Sequence, residues 1–378
     1  MPSNDLAIYS PGSAPLYESA SGGDDRRGRA GGAELQTKLL ARTLAERGRS
    51  IAHIVWSLQS SAREVPAGVT LVERGDHREA RDVAKKVLEL WSIWRSMSVA
   101  DARVYLFRGS GVQLFVGALF CRLRGRRLLF AAANDLDFDL DRNDRSRWFM
   151  SLYRLGLKEA AEVVVQTSEQ EALAPRAGID PDDVTLIRSF AEPAELSEEP
   201  PRQCLWAGRL VDYKRPLEYV RLAEALPSIE FLMVAAETTE TSRELGEAVK
   251  EAGRRLPNLT VMPTMARSKV LAEINRSFAV ISTSSHEGMP NVFLEAWARG
   301  IPTASLSFDP DGRIEQCKLG FACGDRWPDF VAAVSSLCED RELRAAFSER
   351  VSRYVRETHS IDAVARRWDE VLARMLAG

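Results

Sequence analysis

FAVISTSSHEGMPNVFLEAWARGIPTASLS, residues 278–307, reads as a strand, a loop, a helix and a second strand. The apolar run Phe278–Ile281 gives way to the small polar residues Ser282 to Ser285, as a buried strand does where it meets a loop. Glu287 and Gly288 fall in that loop. Pro290 stands where the first helical residue is expected, because its fixed φ suits a helix start and its missing N–H is not needed there. The helix carries Leu294, Glu295 and Trp297, and Gly300 closes it before PTASLS begins. Strand, helix and strand in this order form the parallel crossover unit.

The same rhythm runs outward in both directions. Upstream, DLAIY (5–9), IAHIVW (51–56), VTLVE (69–73), RVYLF (103–107), RRLLFAA (126–132), EVVVQT (162–167) and VTLIR (184–188) read as strands with helical patterns between most of them. A helix is expected from about Ala33 to Arg47, stopped by Gly48. Residues 191–202, AEPAELSEEPPR, break the rhythm with three prolines and four glutamates, which marks a linker. QCLWAG (203–208), EFLMVAA (230–236), LTVM (259–262), FAVIST (278–283) and PTASLS (302–307) then supply a second set of strands, and the last sixty residues read as helices. The fold class is therefore α/β, with two Rossmann-like doubly wound domains, and such a pair predicts a ligand cleft at the carboxyl ends of the strands. The expected domains are 1–193 and 200–358, with a terminal helix over 360–378.

Bulk properties agree with this class and narrow the function. The chain has 378 residues, 45% apolar and 28% charged, enough for two domains at roughly 150 residues each. A net charge of -3 does not suit a general nucleic-acid binder. The start MPSNDLAIYSPGSAP lacks a basic leader and an apolar core, and no run approaches the roughly 18 apolar residues of a membrane helix. Cys121, Cys204, Cys317, Cys323 and Cys338 show no metal-ligand spacing. Cys317 and Cys323 are near enough in sequence to raise a disulfide, but the odd number favours free thiols. A cytoplasmic protein is expected.

Three segments carry the candidate chemistry. In the segment quoted first, a helix start offers unpaired N–H groups and positive dipole to a phosphate, and Glu287 and Glu295 flank it as acceptors for sugar hydroxyls. In AGRLVDYKRP (207–216), Arg209 and Lys214 follow the first strand of the second domain, where two cations would neutralise a leaving diphosphate. In RAGGAELQ (29–36), Gly31 and Gly32 open a helix and leave the backbone bare for a phosphate. Each has a plainer reading, respectively a loop acid with a surface helix acid, a solvated basic loop, and an ordinary turn.

Taken together, GGAE at the first long helix, GRLVDYK after the first strand of the second domain, and EGMPNVFLE with its glutamates eight apart resemble the retaining glycosyltransferases of family 4, of GT-B architecture. The segment 319–347 is similar to the family's closing region. The resemblance implies transfer of a sugar from a nucleotide-diphosphate sugar to a glycan or lipid-linked acceptor in surface polysaccharide or glycoconjugate synthesis, with retention and without a metal or other cofactor. It implies that Gly31 and Gly32 approach the donor phosphate and the acceptor, and that Arg209 and Lys214, beside Gly208, grip the diphosphate. Glu287 would then face the donor sugar, Glu295 would bond the ribose, and Gly288, Met289, Pro290 and Asn291 would support the pyrophosphate. The terminal helix would cross back to the first domain. Where many relatives have a histidine, this chain reads LLFAAANDLDFD, which leaves Asn134 or Asp135 as the sugar or acceptor contact. MPTM (262–265) puts Pro263 where relatives often have a glycine near the base.

Other residues divide between functional and structural readings. His286 adjoins Glu287 and reads either as an acceptor or sugar contact or as a structural hydrogen-bonder, while His53, His77 and His359 are expected to be structural. Asp135, Asp137, Asp139 and Asp141 alternate on one side of an extended segment but lack an EF-hand's spacing. Arg122, Arg124, Arg126 and Arg127 form either a basic turn or a contact with anionic lipid, which would make the protein peripheral on the inner face of the membrane. Competing functions are a degenerate nucleotide-sugar-binding protein, a related epimerase or phosphorylase, and a two-domain solute-binding protein.

Overall fold

The computed structural model describes residues 2–18, 31–58, 60, 63–75, 83–140, 146–196 and 200–377. The chain divides into two compact units, residues 1–190 with 361–378, and residues 191–360. The first unit holds a seven-stranded parallel sheet: β1 (Asn4–Tyr9), β2 (Ile51–Trp56), β3 (Val69–Arg74), β4 (Ala102–Arg108), β5 (Arg127–Ala131), β6 (Glu162–Val165) and β7 (Val184–Leu186), in the order β3-β2-β1-β4-β5-β6-β7. The second holds six: β8 (Gln203–Arg209), β9 (Phe231–Ala236), β10 (Leu259–Pro263), β11 (Ser277–Ser282), β12 (Thr303–Ser305) and β13 (Gly320–Ala322), in the order β10-β9-β8-β11-β12-β13. Both orders reverse direction once, at β1/β4 and at β8/β11. These are the switch points where the chains leaving two neighbouring strands diverge.

The central strands are apolar on both faces because helices cover both. In the first unit, helices Val83–Ala100, Val112–Arg124 and Arg147–Lys158 share one core with the sheet, while Gly32–Glu46 and the terminal helix Ile361–Ala377 share another. The terminal helix buries Val364, Ala365, Trp368, Val371, Leu372 and Met375. At roughly 1.5–3 kcal/mol per large side chain, that stripe fixes the helix to the first unit before any polar contact is counted. Asp369 then accepts from Arg49 at 2.7 Å, and Arg374 donates to Glu162 at 3.2 Å.

Several sequence expectations change. The start of the Pro-rich segment packs into the second unit: Ala191 is buried there, its N–H donates to the His359 carbonyl at 2.9 Å, and Glu192 pairs with Arg267 at 2.8 Å. β13 has no counterpart among the expected strands, since its three residues begin with Gly320 at a φ of 147° and owe their strand state to pairing with β12. Pro290 caps the helix Asn291–Trp297 with extended backbone rather than opening it. All five cysteines are free, and the close pair is Cys204 and Cys338, with sulfurs 3.4 Å apart.

The histidines and acids of the first unit have structural settings. Burial holds the His53 imidazole down to about 3, with Lys38 adding to the effect, and the ring shares a 2.6 Å hydrogen bond with the Tyr17 hydroxyl. In the second unit His359 is fully buried, and His77 lies outside the described residues, as does Asp141. Asp137 accepts backbone N–H bonds from Ser110, Ala133 and Asn134 at 2.9, 2.6 and 3.2 Å, so it ties the ends of β4 and β5 together.

Candidate functional site

Three of the second unit's ion pairs lie around the carboxyl edge of β8 and β11. β8 ends at Arg209, and a single tight turn, Asp212–Lys214, follows it. β11 ends at Ser282 and leads through Thr283, Ser284 and Ser285 to Glu287. Two bonds lock these two loops together, and a third ties the β11 loop to β8. The Thr283 hydroxyl donates to the Lys214 carbonyl at 2.7 Å, the Ser285 N–H donates to the Tyr213 carbonyl at 2.9 Å, and Trp206 Nε1 donates to Thr283 at 3.1 Å.

That frame brings Lys214 directly against Glu287 as an ion pair, with the two side chains only 18% and 14% exposed. Ser284 Oγ donates to the same carboxylate oxygen at 2.8 Å. Arg209 donates to Glu240 at 3.0 Å and to the Tyr213 hydroxyl at 2.7 Å. Burial works against the Arg209 charge, but Tyr213, Glu240 and Glu287 outweigh it and raise the guanidinium above its ordinary pKa. The His286 ring stacks on Tyr213 with centroids 4.8 Å apart, and its Nδ1 lies 3.0 Å from Ser285 Oγ. Gly208, in register with Ala235 on β9, lies one residue before Arg209.

Gly288 and Met289 are buried between Glu287 and the helix, and Pro290 and Asn291 form its start. One turn in, Glu295 accepts from Arg267 Nε at 2.7 Å, while Arg267 reaches Glu192 at 2.8 Å. Arg299 donates to the Glu295 carbonyl at 2.9 Å. Burial raises the Glu295 carboxyl above the usual range, against the opposing charges of Arg267 and Arg299. The edge thus alternates cation and carboxylate: Arg209 with Glu240, Lys214 with Glu287, Arg267 with Glu295. Such a row offers fixed donors to phosphate and fixed acceptors to hydroxyls.

Sequence reading misses Tyr213, Ser284, Glu192 and Arg267. Tyr213 and Ser284 lie inside the quoted motifs but carry no charge to single them out. Arg267 and Glu192 have no local signal, as they meet Glu295 only through the fold.

The remaining candidates belong to the first unit. Gly31 caps the helix Gly32–Glu46, and the Glu34 carboxylate folds back so that a Cβ at Gly31 would meet it at 2.8 Å. Asn134 and Asp135 follow β5, where the Asn134 N–H is held by Asp137 and the Asp135 carboxylate accepts from Gln170 at 3.0 Å. Arg108, at the end of β4, is half-buried, and its guanidinium is lowered to about 10 by desolvation, with Glu34 and Asp137 opposing the shift. Among the described residues, no group of three or more His, Cys, Asp or Glu side chains is arranged to hold a metal ion.

Residues 188–354 match the family model described as glycosyl transferases group 1. The match falls almost wholly within the second unit. It contains Arg209, Lys214, Glu287 and Glu295. Over 98% of this chain, the fold is similar to that of Anabaena Alr3699/HepE in complex with UDP and glucose, with a TM-score of 0.74, 12% identity and 99% of that chain covered. Sucrose-phosphate synthase from Thermosynechococcus elongatus gives a TM-score of 0.74 at 14% identity, covering 98% of this chain and 99% of that one. The apo lipopolysaccharide outer core galactosyltransferase WaaB gives 0.64 at 13%, with coverage of 98% and 99%. These likenesses show the fold, two Rossmann-like domains of GT-B type. No curated protein matches the chain in sequence.

Proposed function

We propose that the protein is a glycosyltransferase that moves a sugar from a nucleoside-diphosphate sugar to a glycan or lipid-linked acceptor, in surface polysaccharide or glycoconjugate synthesis. The observation that carries this reading is the Lys214–Glu287 pair at the β8/β11 switch point, inside the matched glycosyltransferase domain. Lys214 and Arg209 supply positive charge to the departing diphosphate, and a preorganised donor of this kind contributes roughly 3 kcal/mol to a transition state. Glu287, held by Ser284 and Lys214, faces the donor sugar. Glu295, steadied by Arg267, takes the ribose hydroxyls. Gly288 to Asn291 support the pyrophosphate, and Gly31 and Gly32 serve the donor phosphate and acceptor on the first unit.

Transfer proceeds with retention in this reading. The leaving phosphate oxygen takes the acceptor's proton while the new glycosidic bond forms on the face the phosphate vacates. Charge stabilisation and positioning then replace a protein base. The two cations also fill the role a divalent ion could play, so turnover should survive a chelator. Incubation with UDP-, GDP- and ADP-sugars, with the product's anomeric coupling read by NMR, tests both points. An inverted product would overturn retention, and loss of turnover with a chelator would overturn the metal-independent mechanism.

A degenerate nucleotide-sugar binder is the second reading. It draws on the first unit, where Asp135 is engaged by Gln170 and Asn134 by Asp137. Turnover with any donor would dismiss it.

A further inference from the structure

A groove of about 570 Å³ lies in the first unit between the helix Arg147–Lys158 and the helical turns Ser168–Leu173 and Ala174–Ala177 that follow β6. Its volume is that of a site for a small ligand. The helix Arg147–Lys158 is the crossover from β5 to β6, so its last turn lies towards the amino edge of this parallel sheet. Asp135, which follows β5 at the carboxyl edge, lines the same groove. The groove therefore runs from the carboxyl edge along the flank of the sheet, starting where the sequence assigns a sugar or acceptor contact.

The groove combines an apolar floor with charged sides. Phe138 and Leu140 line it as buried residues and Leu173 as a half-buried one. Arg154 and Lys158 stand four residues apart, which puts them on one side of their helix, and Arg176 lines the groove from the segment after β6. The acids are Asp135 and Asp139, and the first already accepts from Gln170 at 3.0 Å. Glu159, next to Lys158 in sequence, pairs with Arg122 at 3.3 Å instead. Among the described residues, none pairs with Lys158 or with Arg176. Lys158 is nonetheless held in place. Gly178, at a φ of 84°, lacks the Cβ that would meet Lys158 Cε at 3.3 Å, so the lysine stem packs on bare backbone while the side chain stays exposed.

We propose that this groove binds the acceptor, and that the acceptor is an acidic saccharide, one that carries a carboxylate or a phosphate group on its sugar rings. The inference rests on the glycosyltransferase reading above and names the acceptor class within it. A saccharide presents apolar ring faces and hydroxyl edges. The apolar floor meets the faces, Asp139 accepts from hydroxyls, and Lys158 and Arg176 take the acidic group through charge-assisted hydrogen bonds. These unpaired cations share one groove although the whole chain is net -3. A neutral saccharide would leave both without a counter-charge, and a free phosphate would leave the apolar floor empty.

The test is binding of the full chain to an array of saccharides that carry uronate, phosphate or no acidic group, followed by titration of the strongest binder in solution. The uronate and phosphate members separate the two sources of charge. Wild-type protein should bind acidic members about tenfold or more tightly than neutral ones of the same length, and lose that preference at high salt. Lys158→Glu with Arg176→Glu should weaken the binding by about tenfold or more, and Lys158→Arg with Arg176→Lys should keep it, both at the wild-type melting temperature. Titration of UDP, GDP and ADP into the same proteins keeps the two readings apart. It should be indifferent to both pairs, and its failure in wild type would sink the donor reading while the saccharide preference stood. Wild-type protein that binds no member, prefers neutral members, or takes inorganic phosphate as tightly as the acidic saccharides would overturn the proposal. So would a charge-reversed variant that binds like wild type.

Discussion

The carboxyl edges of the two sheets are built from similar residues to different ends. In the second unit, cations and carboxylates pair side chain to side chain across loops: Arg209 with Glu240, Lys214 with Glu287, Arg267 with Glu295. In the first, the central acid spends itself on backbone, Asp137 holding Ser110, Ala133 and Asn134. Paired side chains can exchange partners for a ligand without loosening the loops, since separate bonds such as Thr283 to Lys214 hold the backbone. An acid that closes three backbone turns cannot let go without opening them. The second edge thus carries exchangeable pairs on a fixed frame, and Asp137 in the first is part of the frame itself.

This contrast sets what substitution should do. The largest effect belongs to Lys214→Ala, which should lower turnover by about 100–1000-fold, as removal of one preorganised donor does, with little change in melting temperature. Steady-state kinetics beside a thermal melt would break the comparison if stability fell with activity. Next comes Asp137→Ala, expected to cost roughly 3 kcal/mol of stability by stranding its backbone N–H groups, yet to leave nucleotide affinity unchanged. A chemical denaturation curve and a nucleotide titration on the same protein would show it. Glu295→Ala should weaken nucleoside diphosphate binding by about tenfold, the value of one or two hydrogen bonds to ribose, and calorimetry measures this directly.

Per pH unit, the smallest effect is a pH response that belongs to the frame. His53 stays neutral in the folded chain, its pKa held to about 3 by burial, whereas the unfolded side chain titrates near 6.5. The unfolded state therefore binds the extra proton first. The stability His53 contributes is complete above pH 6.5 and is lost as pH falls towards 3, by at most about 1.4 kcal/mol per pH unit. Denaturant midpoints across that window should lose this slope in His53→Gln.

What can be read from sequence follows the same division. EGMPNVFLE and GRLVDYK are legible because each packs strand end, loop and charged groups into one continuous stretch, so local chemistry and local structure point the same way. Alternation of apolar strands and amphipathic helices likewise gives two doubly wound sheets, while the terminal helix on the first unit follows only from the family resemblance. The partners of Glu295 are hidden, because Arg267 and Glu192 reach it only through tertiary folding. β13 is hidden too, since three residues starting at Gly320 carry little strand propensity and depend on β12.

The account rests most directly on nucleotide binding at the β8/β11 edge. Isothermal titration of UDP, GDP and ADP into wild type, Lys214→Ala and Glu295→Ala measures it. One diphosphate should bind wild type and lose about tenfold or more in each variant, and its nucleoside alone should depend on Glu295 but not on Lys214. Folded wild-type protein that binds none of the three, or binding indifferent to both substitutions, would contradict it.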